Sequence, residues 1–308
     1  MPERIFVTGS SGFVGSAVIE QLLEKGYDVA ALLHCGSLKA GGDRVREVRG
    51  DIFSAAALDE GMAGCQGVIH LVGIISENPA QGITFERIHH QGAIHVIEAA
   101  HRARIKRFIH MSALGARPEA PSEYHRTKYA AEKALHGSGL DWTIFQPSLI
   151  HGPDGEFLKM EAAWARGKSP PWLFMPYFGG GLLGWAKPTS VQPVFVEDVA
   201  RAFVEALDKP AAVGQTYPLG GSQALTWRQM HHLAAEIFTG KRKAAIPIPT
   251  WCAKALTHLV PASLLPFSRD QVIMSQEDSV CDMSRFLADF GWTPGGFEQT
   301  LGAYAARV

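Results

Sequence analysis

FVTGSSGFVG occupies residues Phe6 to Gly15, and Gly9, Gly12 and Gly15 recur in it at every third position. Glycine costs about 0.5–1 kcal/mol relative to alanine inside regular structure, so three in seven positions mark backbone that must stay free of side chains. The run before them, Arg4–Thr8, is a short β-like segment. The run after, Ser16–Lys25, sets Ala17, Val18, Leu22 and Leu23 at helical spacing, with Gly26 fitting its end. A strand, a glycine turn and a helix make the phosphate-binding start of a dinucleotide fold. There Gly9 permits the tight turn, Gly12 lets backbone approach a pyrophosphate, and Gly15 lets the helix pack close to the strand. Backbone N–H groups around Ser11, Phe13 and Val14, at the positive end of the helix dipole, would hold the phosphates.

The chain continues in the same alternation. Asp28–Leu33, Val45–Val48, Gly67–Val72, Arg107–Met111 and Trp142–Gln146 are apolar strand candidates. Helical patterns at Leu58–Met62, Thr84–Ala103 and Glu123–His136 fall between them. Apolar strands that take turns with helices predict an α/β, doubly wound parallel sheet covered on both faces. The second half is richer in Gly, Pro and aromatics, and predicts a smaller mixed lobe that completes a cleft. The expected division is a dinucleotide-binding Rossmann core over 1–152 and a substrate or partner lobe over 153–308, with 190–220 returning to the core.

Composition sets limits. The 308 residues are 46% hydrophobic with formal net charge -1, and no run of Lys or Arg gives a nucleic-acid footprint. Cys35, Cys65, Cys252 and Cys281 are scattered, form no CxxC pair, and fit reduced thiols in a cytoplasmic protein. No signal peptide and no membrane-spanning run is visible. The histidines of "RIHHQG" have no metal-ligand spacing, so no metal is expected.

Ribose selectivity is read just after the second strand, where an NAD-preferring site usually carries Asp or Glu. Here the text is "ALLHCGSLKAGG", with His34, Ser37 and Lys39 as donors and no acid. NADP(H) is therefore favoured over NAD(H).

The motifs together resemble the short-chain dehydrogenase/reductase superfamily, in its extended and atypical branches (the NAD-dependent epimerase/dehydratase-like members). "TGSSGFVG" is similar to TGxxGxxG, "YHRTK" to YxxxK with Tyr124 and Lys128, and "QPSLIHGP" to RPxxIxGP. "HLVGII", "RFIHMSALGA", "YHRTKYAAEKAL" and "LDWTIFQPSLIHGP" most resemble an atypical group that contains the NAD(P)H-binding accessory subunit of respiratory complex I. The resemblance implies cofactor contacts from Asp51 and Ile52 on the adenine side, and from Leu71, Val72 and Gly73 beside the riboses. It also implies contacts from His89, Tyr124, Lys128, Pro147 and Ser148. Two departures stand out: Ser112 and Tyr124 are closer in sequence than in typical extended members, and His89 stands where an asparagine is common.

A tyrosine of pKa ~10 is a poor proton carrier at neutral pH, and a nearby ammonium would lower it. Tyr124 and Lys128 are four apart, on one helix face, with Ser122 as a candidate cap. With Ser112 orienting a carbonyl or alcohol, these residues would serve an NAD(P)-dependent oxidoreductase. Two alternatives stay open: a non-catalytic nucleotide-binding structural or assembly factor, and a nucleotide-sugar epimerase or dehydratase. The expected partners are a nicotinamide dinucleotide and an unidentified small-molecule substrate, with no nucleic acid. "PPWLFMPYFGGGLLGWAKP" (Pro170–Pro188) reads as a loop lining or covering the substrate cleft, or as an apolar patch for peripheral membrane or protein contact. "WCAKALTHLVPASLLPF" (Trp251–Phe267) reads as a buried amphipathic helix, with the same alternative.

Overall fold

The computed structural model describes residues 3–38, 41–186, 188–260, 265 and 267–308. The chain runs β1 Arg4–Thr8, α1 Phe13–Glu24, β2 Asp28–Leu33, β3 Val45–Arg49, α2 Ala55–Met62, β4 Gly67–His70, α3 Gly92–Arg102, β5 Arg107–Met111, α4 Glu123–His136 and β6 Asp141–Pro147. It goes on through β7 Ile150–His151, α5 Glu156–Ala165, β8 Met175–Gly179, β9 Ser190–Val191, β10 Val194–Phe195, α6 Val196–Leu207 and β11 Gln215–Leu219. Last come β12 Leu225–Thr226, α7 Trp227–Thr239, β13 Ala245–Pro249, α8 Thr250–Leu259, α9 Arg269–Met274, α10 Ser284–Phe290 and α11 Phe297–Tyr304.

Seven strands form one sheet in the order β11-β6-β5-β4-β1-β2-β3. Every neighbouring pair in it is parallel. The fold is an α/β, Rossmann-type doubly wound sheet. Strand order reverses between β1 and β4, and ligands of such sheets bind in the crevice at that switch point, beyond the carboxyl ends of the strands. Phe6, Ala30, Val68, Val96 and Phe108 sit in one fully buried cluster on the sheet. Burying a side chain of the Val or Phe class contributes roughly 1.5–3 kcal/mol, so the strands need no polar alternation.

The chain divides into two compact units. The first holds Met1–Pro147, Val196–Leu219 and Met283–Trp292. The second holds Ser148–Phe195, Gly220–Asp282 and Thr293–Val308. In the first unit α10 comes back from far along the chain, and Phe286 and Phe290 stack edge-on against Tyr217 of β11. In the second unit α5, α7 and α11 surround a core of Leu158, Met175, Met230 and Phe297. β13 pairs in parallel with β8 there, Ala245 opposite Met175.

One expected element differs in kind. The pattern over Thr84–Ala103 predicts one continuous helix. The structure makes Glu86–Gln91 a π-helical segment and starts α3 only at Gly92. Inserted π turns rotate the side chains that follow out of the α register and often occur at functional sites.

Candidate functional site

The glycine loop is shaped by close backbone contacts. Gly9 has φ +71°, a conformation that L side chains rarely adopt, and a Cβ on it would lie 3.0 Å from the Leu71 carbonyl carbon. A Cβ on Gly15 would collide with the carbonyl oxygen of Gly9. Gly15 thus lets α1 close onto the loop itself, rather than onto the strand as the spacing alone suggests. The Gly12 amide donates to the Gly9 carbonyl at 3.1 Å, which locks the turn. The Ser10 hydroxyl, fully buried, donates to the Leu32 carbonyl at 2.6 Å and ties the loop to β2.

Gly12 is the N-cap of α1 and supplies no side-chain hydrogen bond, and the first turn has no acidic residue. The amides of Phe13 and Val14 therefore begin the helix without a side-chain acceptor. Ser11 and Gly12 are exposed beside them, Phe13 is half-buried and Val14 is buried. Uncapped N–H groups at a helix start, with a cradle that a Cβ would fill, fit a phosphate group.

On the β2 side, His34 and Ser37 are exposed and Lys39 lies outside the described residues. Arg49, absent from the sequence expectations, ends β3 opposite Leu33, and its Nη1 donates to the Gly36 carbonyl at 2.8 Å. Its Nη2 meets Glu47 at 3.2 Å, so its charge is shared. Asp51 accepts the Phe53 amide at 2.8 Å and is half-exposed. Ile52 turns its side chain into the core, which leaves backbone as its route to a ligand.

The end of β4 joins this corner to the YxxxK helix. Leu71 is buried against Gly9, and Val72 follows, half-buried. At Gly73 a Cβ would stand 3.0 Å from Lys128 Nζ and 3.7 Å from His89 Nε2. Gly73, His89 and Lys128 are thus neighbours, and the Tyr124 ring meets the His89 ring edge-on at 5.2 Å. His89 Nε2 lies 3.1 Å from both the amide and the carbonyl oxygen of Ile74, and Nδ1 lies 3.0 Å from Thr127 Oγ1. Burial pushes His89 down to about 2, and Lys128 adds to the shift, so this histidine is neutral. The π-helical segment aims it inward.

Lys128 is itself buried, and its ammonium donates to the Met111 carbonyl at 3.1 Å. Burial lowers it from 10.5 to about 8, and the nearby Glu132 carboxylate acts in the opposite direction. Glu132 is held by Gln146 Nε2 at 2.7 Å. Its place four residues after Lys128 in "KYAAE" is the signal that could have revealed it. Tyr124 behaves otherwise than the spacing suggests. Packing against Phe85, His89 and His125 raises its hydroxyl to about 12, instead of lowering it. Ser112 is 3% exposed, and its hydroxyl lies at the buried Glu132 carboxyl rather than at an open face. The expectation that it orients a substrate meets that burial. Pro147 closes β6, where its carbonyl accepts the Leu114 amide at 3.0 Å. Ser148 opens the second unit, where its hydroxyl donates to the Ser279 carbonyl at 2.8 Å.

Comparison with known proteins agrees with this geometry. A family model described as NAD(P)H-binding matches residues 9–162. The chain is 29% identical over 271 residues to the Arabidopsis thaliana mitochondrial NADH dehydrogenase [ubiquinone] 1 alpha subcomplex subunit 9. That match covers 85% of this chain and 64% of the plant subunit, so the chain spans slightly less than two thirds of that relative's length. It is 28% identical to the ceramide reductase of Caulobacter vibrioides, over 80% of this chain and 74% of that enzyme. Among solved structures, the Thermus thermophilus UDP-glucose 4-epimerase complex with NAD superposes with TM-score 0.74 at 23% identity, over 99% of this chain and 98% of that one. These likenesses support the extended, atypical short-chain dehydrogenase/reductase pattern read from the motifs.

Proposed function

The chain belongs to the NAD(P)H-binding family, and from that premise we propose that it is an NADP(H)-preferring oxidoreductase acting on a carbonyl or alcohol. The carrying observation is the cluster of Gly73, His89 and the buried Lys128 after β4, with the Tyr124 ring edge-on to His89. Phosphates would lie on the Gly9–Gly15 loop, the adenine beside Asp51 and Ile52, and the riboses along Leu71–Gly73. Lys128 would bond the nicotinamide ribose, with His89 and Pro147 also contributing to the cofactor site. A bound reduced nicotinamide supplies the hydride. Tyr124 stays protonated at neutral pH and would be the donor to an oxygen that gains negative charge, although burial, which raises its hydroxyl to about 12, makes it a weaker acid than a free tyrosine. Lys128 keeps a positive charge near that oxygen up to about pH 8. Ser112, buried by Glu132, acts in this reading by positioning, not by touching substrate.

The preference for NADP(H) rests on the missing acid after β2 and on Arg49, which reaches the Gly36 carbonyl. Titration of nicotinamide fluorescence tests it. NADPH is expected to bind at least tenfold tighter than NADH, and Arg49→Gln to lower the ratio about tenfold, because one charged hydrogen bond is worth about 1.5–3 kcal/mol. Equal affinities in the native chain would overturn the preference. Oxidation of NADPH across a panel of aldehydes and ketones, lost in Tyr124→Phe with binding kept, is the outcome expected of an enzyme.

The burial of Ser112 favours a second reading, in which the nucleotide is a structural element of a non-catalytic assembly or scaffold protein. Under it, NADPH binds without turnover and Tyr124→Phe changes neither binding nor partner assembly. A nucleotide-sugar epimerase or dehydratase is supported by likeness of fold alone.

A further inference from the structure

Two segments, all but Val196 in the second unit, contain no carboxylate. Residues 162–196 hold Arg166, Lys168 and Lys187 and not one Asp or Glu. Residues 237–269 hold Lys241, Arg242, Lys243, Lys254 and Arg269, again without an acid. The rest of the chain carries 21 basic against 30 acidic side chains, so the asymmetry is local. The fold brings the two segments together. β8 from the first pairs with β13 from the second, and the Trp251 indole N–H donates to the Leu182 carbonyl at 3.0 Å. The Lys243 ammonium donates to the Trp164 carbonyl at 2.6 Å and also to that of Trp172.

The same segments carry large apolar side chains on the outside. Trp172, Leu173, Leu182, Leu183, Trp251 and Leu259 are between 58% and 86% exposed. α8 is built inside out. Its sequence suggests a buried amphipathic helix, yet Ala253 is its only buried residue. Trp251, Ala255 and Leu259, one turn apart, form an outward apolar stripe. Residues 261–264 and 266 of that stretch, and Lys187 of the other, lie outside the described residues. Among the described residues no helix is long and apolar enough to cross a membrane.

Exposed leucines and tryptophans on segments whose own charges are all basic are the two ingredients of interfacial binding, although Glu236 meets Arg242 at 3.4 Å and Asp278 accepts the Ser190 amide at 2.7 Å from outside them. Tryptophan prefers the headgroup level, leucine enters the acyl boundary, and Lys and Arg are drawn to anionic lipid. A protein partner would need only the apolar part. The exclusion of all carboxylates over 68 residues matches a partner that is negative everywhere, as an anionic bilayer surface is. We infer that the Trp172–Trp185 loops and α8 form a peripheral docking surface for anionic membranes. The inference stands independently of the nucleotide site.

Sedimentation of the full chain with vesicles tests it, with NADPH affinity measured alongside as the control for folding. Binding is expected to vesicles containing phosphatidylglycerol, at least tenfold weaker to phosphatidylcholine alone, and to decline as salt rises. Leu182→Glu with Leu183→Glu, and separately Leu259→Glu, are expected to weaken vesicle binding at least tenfold while NADPH affinity stays unchanged. All of these side chains are exposed, so the fold tolerates the changes. Absence of binding to anionic vesicles overturns the proposal, as does binding that these substitutions leave intact. A self-associating chain whose dimer is broken by the same substitutions, without lipid binding, assigns the surface to a second copy and also overturns it.

Discussion

Two helices border the candidate site and begin in opposite ways. α4 is closed by Ser122, whose hydroxyl accepts the His125 amide at 3.2 Å. α1 has Gly12 at the same position and no side-chain cap at all. α4 then offers side chains from its flank, with Tyr124 and Lys128 one turn apart. α1 offers only backbone, and the glycines around it keep other atoms away. α5, α8, α10 and α11 also start without a side-chain cap, so what sets α1 apart is the tight glycine loop before it, where Gly9 and Gly15 have no room for a Cβ.

The sharpest way to break this contrast is at Gly15. Any Cβ there meets the Gly9 carbonyl, so Gly15→Val must push loop and helix apart. Loss of NADPH binding by at least a hundredfold is expected in a fluorescence titration, with lowered thermal stability. A variant that binds normally would show that the loop is not the phosphate site.

Lys128 tests the other helix through pH. Its folded pKa, about 8, lies below the ordinary 10.5, so the folded chain releases this proton first. Below about pH 8 both states hold the proton, and the cost of burying the ammonium is present in full. Between about 8 and 10.5 the unfolded chain binds more protons, so this residue's contribution to stability rises with pH, by up to about 3 kcal/mol. Urea titrations at stepped pH on the native chain and on Lys128→Met measure the difference. The variant lacks that rise, and nucleotide affinity in the native chain weakens over the same range.

Gly12→Ala is milder. Its φ is -79°, which alanine accepts, and its Cβ would stand 3.2 Å from the Gly9 oxygen. NADPH binding about tenfold weaker is expected, because the methyl enters the space a phosphate needs, with stability unchanged. Ser122→Ala closes the series with a loss of about 1 kcal/mol in chemical denaturation and no change in affinity. Were Ser122→Ala to cost affinity while Gly12→Ala did not, the roles of the two helix starts would be reversed.

What the sequence makes legible follows from how local the physics is. The glycine spacing and the apolar strands appear in a short window, and so does the Tyr124–Lys128 pair. The reach of Arg49 across β2 to Gly36 depends on a strand register that no window contains. His89 meets Tyr124 from within a π-helical segment, whose phase a reading of α-helical spacing does not contain. The rise at Tyr124 likewise reflects Phe85, His89 and His125 closing around the ring, which outweighs the four-residue spacing to an ammonium. Glu132 was within reach of the text, since its offset from Lys128 equals that of Lys128 from Tyr124.

The return of α10 has a bearing on how the chain is made. Phe145 of β6, Tyr217 of β11 and Phe290 of α10 pack together with ring centroids 5.2–5.9 Å apart, and the Tyr217 hydroxyl donates to Asp289 at 2.7 Å. The three pieces are supplied at widely separated moments of synthesis. Until translation has passed Trp292, one edge of the sheet keeps its aromatic face uncovered. The nucleotide unit, first to be written in the chain, is among the last to be completed, and a nascent chain must carry that open edge while the second unit is being made.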